Sequence, residues 1–411
     1  MVRGRPRGSY RPLARRRRHR PDPAAVRGRG GGVSARVPPL ERDDRWARVG
    51  LSALVEPGNG RIVRSLAAVG GAEALAAVRE RRAGSPELYV RLEGFDLEEI
   101  ARRVRACGAR VLVPGDPEWP DALDRHRHPP YCLFVRGDPD LARLSERAVS
   151  VVGSRAATHY GLRVAAEIGE GLAARGWTVV SGAAFGIDAA AHRGALAAEG
   201  STVAVLACGV DVPYPRAHER LIDAVAVAGA VVSEVPPGSD PMRGRFLARN
   251  RIIALLGRAT VVVEAGLRSG SLSTAREARD HHLPVGAVPG PVTSATSAGC
   301  HELVRETDAV LVTDASDAAE LAARIGDELG PRRAAPPLPT DALDPVEYAV
   351  WAAAPVRRRA TPERLAVLAG TDPSRVPTAL AVLEAMGLVD VEAGRWRKTP
   401  VGALGRGGPA T

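Results

Sequence analysis

Eight short, valine-rich apolar runs, spread over residues 111–312 and mostly separated by helical patterns, restrict the folds open to this chain more than any other feature. They lie at 111–113, 149–152, 178–180, 202–206, 231–232, 260–263, 285–288 and 310–312. Runs without polar alternation are buried on both faces, and helical stretches such as 161–175 and 188–198 supply the two covers. The pattern predicts an α/β domain over 108–329, with a doubly wound, mostly parallel sheet.

The flanks read differently. Over 41–107 the pattern is short helices, with Trp46, Val49, Leu51 and Leu54 in the first and further patterns at 62–69, 72–79 and 97–106. Asp96 and Glu99 have the spacing of a capping box, and Pro57-Gly58-Asn59 and Gly70-Gly71 mark turns. After a helix ending near residue 329, four prolines in 331–342 mark a linker over 330–343. Helical patterns at 345–354, 362–369 and 375–386 then precede two short strand patterns around Ala393-Gly394, which together read as a winged helix over 344–400. Residues 401–411 read as a disordered tail.

Charge is concentrated at one end. Residues 1–40 hold twelve Arg and one Asp, a net of +11 against +10 for the whole chain, so the rest is near −1. That segment reads as a disordered basic arm, either contacting DNA or translated upstream of a start near Val33. Any anion site in the folded body must therefore be a local cluster. Apolar runs such as 224–232 stop at nine residues, against the roughly 18 needed to cross a bilayer. No apolar segment of a secretory signal precedes residue 40. Cys107, Cys132, Cys208 and Cys300 form no C-x-x-C pair, so neither a disulfide framework nor a metal site is expected, and a reducing cytoplasm fits.

In a doubly wound sheet, ligands bind beyond the carboxyl ends of the strands. The run at 149–152 ends in Gly153-Ser154-Arg155, the next in Ser181-Gly182, and the run at 260–263 is followed by Glu264 and by Ser269-Gly270-Ser271-Leu272-Ser273-Thr274 opening a helix. Small residues there let N–H groups and hydroxyls approach a phosphate at a positive helix end. Arg249-Asn250-Arg251 adds fork-shaped donors. With Lys398 the only lysine, no G-x-x-x-x-G-K loop exists before it, and no G-x-G-x-x-G with a following acid appears. Ser181, His192 and Asp188 make a poor hydrolytic triad, because His and Asp four apart on one helix point the same way. A helix-stabilising pair, or a hydrogen bond holding the Ser181 loop, is the expected role of Asp188 and His192.

These motifs, with Ser181 to Leu196 reading SGAAFGIDAAAHRGAL, Tyr214-Pro215, Ser233-Glu234, Pro289-Gly290 and Gly299-Cys300 in order, resemble the DNA-processing protein A family, also called DprA or Smf. Asp116 to Pro120 and Pro130 to Phe134 resemble that family's lead-in. The resemblance spans roughly 43–400. It implies an extended Rossmann-like domain that binds single-stranded DNA, forms a homodimer and delivers the strand to the RecA recombinase in natural transformation. With no metal-ligand cluster and no credible triad in the sequence, no catalysis and no cofactor are expected. The DNA-binding set expected on this basis is Gly153, Ser154, Arg155, Ser181, Gly182, Arg249, Asn250, Arg251, Ser269, Gly270, Ser271 and Thr274, supported by Asp188, His192 and Glu264. Phe185, Leu247 and His301 depart from residues common in the family. The competing reading is a nucleoside-monophosphate phosphoribohydrolase of the lysine-decarboxylase-like fold, with Glu277 as its acid. A transcription factor driven by the winged helix is a third.

Overall fold

The computed structural model describes residues 39–324 and 338–400. The basic arm up to residue 38, the proline-rich stretch 325–337 and the tail 401–411 lie outside the described residues. Contacts divide the chain into two units, Met1–Leu329 and Gly330–Thr411.

The first unit holds nine strands: β1 (Arg110–Leu112), β2 (Leu133–Arg136), β3 (Ala148–Val152), β4 (Thr178–Ser181), β5 (Thr202–Leu206), β6 (Ala230–Ser233), β7 (Ala259–Val262), β8 (Val285–Ala287) and β9 (Val310–Leu311). They form one sheet in the order β1-β2-β6-β5-β4-β3-β7-β8-β9. From β6 to β9 every neighbour pair is parallel. At the other edge β2 runs antiparallel to β6, and β1 antiparallel to β2. Strand β2 has no counterpart among the eight expected runs. Its Leu-Phe-Val core is as apolar as the parallel strands, but it lies within a loop-like stretch rich in His and Pro.

Strand pleating sends alternate side chains to opposite covers. Val149 and Val151 of β3 join Val164, Ile168 and Leu172 of the helix His159–Ala174. Ala148 and Val152 join Ile252, Ile253 and Leu256 of the helix Arg243–Leu256 on the other side. Because β4 and β7 flank β3, the chain reverses its direction of travel across the sheet there, opening a crevice beyond the strand ends.

The helices Asp44–Leu54, Gly60–Arg79, Pro86–Glu93 and Leu97–Ala106 cover the β1 end of this sheet. Val49, Leu97 and Val104 share a core with Phe134, Leu206 and Val231, so this layer and the sheet pack as one body. Asp43, Asn59 and Asp96 cap three of the helices through side-chain oxygens. At the expected turn Gly70-Gly71 the span Gly60–Arg79 breaks into two helical stretches, where Gly70 leaves the helix at φ 77°, a conformation that L side chains rarely enter. The helix Pro86–Glu93 was missed in the sequence. Its signal was proline at the first helical position after a serine.

In the second unit, helices Pro345–Ala353, Pro362–Ala369 and Val376–Ala385 bury Val350, Leu365, Leu380 and Leu383. An antiparallel ribbon of β10 (Val389–Glu392) and β11 (Arg395–Lys398) closes it. Arg397 pairs with Asp390, and the Lys398 ammonium lies 4.4 Å from the centre of the Trp351 ring.

Candidate nucleic-acid interface

Three strand ends build the crevice. After β3, the Ser154 amide donates to the Glu264 carbonyl at 2.7 Å, and the buried Glu264 carboxylate accepts from the Thr158 amide at 2.9 Å and its hydroxyl at 2.6 Å. This clamps the Gly153–Thr158 turn to the strand-end loop beyond β7 and leaves Arg155 exposed. After β4, the Gly182 and Ala184 amides donate to Asp188 at 3.2 and 3.4 Å. Asp188 thus holds the loop from its place in the first turn of the helix Ile187–Ala197. Burial pushes its carboxyl pKa up, against the nearby Arg249.

The helix Arg243–Leu256 forms the facing wall. Arg243, Phe246, Leu247, Asn250 and Ile253 follow one another at intervals of one or three residues and line the cleft, as helical periodicity requires. Asn250 donates to the Gly270 carbonyl at 3.3 Å, tying this wall to the turn that opens the helix Ser271–Asp280. The Ser269 and Ser271 hydroxyls lie 2.7 Å apart at that turn. The result is a cleft of about 580 Å³, bounded also by Gly153, Arg155, Ala184, Tyr214 and Thr274.

Its charge is unevenly committed. Arg249 is buried and donates from Nη1 to the carbonyls of Gly182 and Val205, binding the ends of β4 and β5 together. A Cβ on Gly182 would overlap this guanidinium, so glycine is required there by the close approach. Burial lowers the Arg249 pKa to about 10, which leaves it cationic at neutral pH. Arg155 and Arg243 are exposed and have no ion-pair partner among the described residues. The Arg155 guanidinium lies 4.9 Å from the centre of the Phe246 ring, whose other neighbour is Tyr214 at 5.4 Å.

With this architecture in hand, similarity to known proteins becomes decisive. The family model for DNA recombination-mediator protein A matches residues 110–323. The chain belongs to the DprA/Smf family. A putative DNA processing protein DprA from Mycobacterium tuberculosis is 44% identical over 376 residues, covering 87% of this chain and 95% of the relative. The DNA processing protein DprA of Streptococcus pneumoniae is 42% identical over 202 residues, covering 49% of this chain and 70% of that protein. The X-ray structure of DprA from Streptococcus pneumoniae superposes with a TM-score of 0.56 at 32% identity, covering 66% of this chain and 94% of that one.

Within this DprA/Smf fold, the expected site residues separate into two groups. Gly153, Arg155, Asp188, Arg249, Asn250, Ser269, Gly270, Ser271 and Thr274 line one cleft. Ser154, Ser181, Gly182, His192, Arg251 and Glu264 are not among its lining residues. Ser181 is buried and donates from Oγ to the Val151 carbonyl at 2.6 Å. Arg251 turns to Glu234 at 2.7 Å and to the His128 carbonyl at 3.0 Å. Asp188 makes the loop-holding bond, and His192 pairs with Thr202 instead, so Ser181, His192 and Asp188 do not assemble as a triad.

Tyr214, Arg243 and Phe246 were missed as site residues. Their signal was the same as that of any exposed aromatic or basic residue, and only the helix phase of 243–253 groups two of them. Folding also gathers His126, Glu277 and His281, whose ligand atoms all lie within 4.8 Å of one another, although His126 is far in sequence from the i, i+4 pair Glu277 and His281. Glu277 is therefore engaged away from the cleft, and the hydrogen bond from His126 holds its carboxyl below the usual range.

His192 sets a pH limit on the fold. The Thr202 hydroxyl donates to the Val179 carbonyl, so it accepts from Nδ1–H of His192 at 2.6 Å, and the buried Nε2 has no partner. Burial lowers the pKa of this ring to about 3. Because the folded value lies below the unfolded one near 6.5, the neutral ring's contribution is present above pH ~6.5 and is lost as pH falls towards 3. Stability should fall by up to about 1.4 kcal/mol per pH unit in that window. Urea unfolding from pH 7 to 4 should show a shallower acid loss in His192→Gln, and an identical slope in both proteins would refute this.

Proposed function

We propose that this family member grips the phosphate backbone of single-stranded DNA in the cleft and presents the strand to a RecA-type recombinase during DNA uptake and recombination. The observation that carries the reading is one cleft lined by two guanidinium groups that make no ion pair among the described residues, Arg155 and Arg243, together with serine hydroxyls and a helix N-terminus. Such donors suit phosphate oxygens. The half-exposed Tyr214 and Phe246 add π-faces on which a base can stack whatever its identity. A duplex hides those faces, so the cleft favours an unpaired strand.

The protein acts as a homodimer in the cytoplasm on this reading, and its second unit is a winged helix suited to protein contact. The helix Val376–Ala385 carries one charged side chain, Glu384, and Arg397 and Lys398 of the ribbon are already engaged by Asp390 and Trp351. Sequence-specific duplex readers present several base-edge and phosphate donors instead. The nucleotide-cleaving alternative fares worse, because Glu277 faces His126 and does not line the cleft.

Fluorescence anisotropy with a labelled 30-mer, single-stranded and as a duplex, tests the proposal. Binding at least tenfold tighter to the single strand is expected, with no free base released from nucleoside monophosphates. Equal affinity for both forms, or base release abolished by Glu277→Gln, would overturn it.

A further inference from the structure

We propose that His126, Glu277 and His281 form a binding site for a divalent transition ion of the zinc class, one that clamps the segment before β2 to the helix Ser271–Asp280. His126 ends the short 3-10 turn Asp121–Arg125, whereas Glu277 and His281 lie four residues apart at the end of that helix and so project from one face. The three side chains offer one carboxylate oxygen and two imidazole nitrogens, all within 4.8 Å.

The geometry is close to that of an occupied site. Two ligands held at about 2.1 Å from a tetrahedral ion sit about 3.4 Å apart, and His126 Nε2 lies 3.4 Å from Glu277 Oε2. The His281 ring centre is 5.2 Å from that of His126, and its ligand nitrogen lies within 4.8 Å of the other two ligand atoms, so His281 has to move closer to reach the roughly 3.4 Å spacing of a tetrahedral site. The other nitrogen of His126 is already oriented. Nδ1 accepts from the His128 amide at 2.9 Å and lies 3.0 Å from the His128 carbonyl, contacts that hold the ring with Nε2–H toward Glu277; a metal at Nε2 displaces that proton to Nδ1, which then donates to the carbonyl, the outer bond that typically fixes a ligating imidazole.

Ligand chemistry selects the ion. Two imidazoles and one carboxylate suit zinc, cobalt or nickel, whereas magnesium and calcium prefer all-oxygen sets. Glu277 and His281 are partly exposed, so water can enter the fourth position. The buried Arg251, whose charge acts on Glu277, is paired with Glu234 and does not oppose a bound ion with an uncompensated charge. A bound ion would join residues about 150 positions apart in sequence, behind the turn at Ser269–Ser271.

The test uses the full-length protein after chelator treatment and dialysis. Zinc chloride is titrated by calorimetry, and cobalt chloride by visible absorption. The expected result is one equivalent of zinc bound, with intense cobalt d–d bands characteristic of four-coordination and a raised thermal midpoint. His281→Ala and Glu277→Ala should each weaken binding by at least about tenfold, while the neighbouring His282→Ala binds as wild type. Metal-free melting of the variants at the wild-type temperature shows that they fold, and His126 is left intact because it is buried. Absence of saturable binding, or wild-type affinity in a folded His281→Ala protein, would overturn the proposal.

Discussion

Arg155→Ala is expected to weaken single-strand binding by about ten- to a hundredfold, the equivalent of one hydrogen-bonded charge at roughly 1.5–3 kcal/mol. The loss should be the same on every sequence, because on the proposed reading the Arg155 guanidinium meets phosphate and not base edges. For single strands, log affinity falls with log salt by about 0.7 per phosphate neutralised, so the slope should become shallower by roughly that amount. Arg155 is exposed and makes no ion pair among the described residues, and its guanidinium lies over the Phe246 ring. Folding stability should therefore stay within about 0.5 kcal/mol of wild type. The measurement is anisotropy at several salt concentrations in protein lacking residues 1–32, which removes the background of the arginine-rich arm. An unchanged affinity and salt slope would show that the strand binds elsewhere.

Arg251→Ala should act in the opposite manner, unfolding the protein far more readily without altering the salt slope. The Arg251–Glu234 pair is almost completely buried, at 4% and 5% side-chain exposure. Removing the guanidinium leaves a carboxylate without its counter-ion and frees the His128 and Ala248 carbonyls. Glu234 already has one oxygen, Oε2, without a hydrogen-bond partner. Breaking such a pair from one side costs about 3–5 kcal/mol, whereas replacing both charges by apolar groups is often near neutral. Urea denaturation should show this loss in Arg251→Ala, with much of it recovered in Arg251→Met combined with Glu234→Leu. A midpoint within experimental error of wild type in Arg251→Ala would contradict the buried-pair account.

The contrast between these arginines shows where sequence reading reached its limit. Arg249 and Arg251 sit in one basic motif and were expected to share a role with Arg155. On a helix, residues two apart project about 200° apart, so the pair cannot face one cleft together. Arg249 binds the carbonyls of Gly182 and Val205, and Arg251 pairs with Glu234. Both are contributed by other strand ends, which no local pattern reveals. The same holds for β2, whose direction depends on pairing Phe134 with Ser233. His126 and Glu277 likewise meet only because the turn before β2 packs beside the helix Ser271–Asp280.

Local chemistry was legible wherever its consequence was local or periodic. Apolar runs of four or five residues such as 149–152 must be buried on both faces, and alternation with helices leaves few ways to cover them, so the α/β architecture followed from pattern alone. The rule that ligands gather beyond strand ends then pointed to Gly153, Arg155 and Ser269 to Thr274. Tertiary structure decided which charges remained available. A side chain's electrostatic role depends on whether burial and a partner have already claimed it, and both are properties of neighbours distant in sequence.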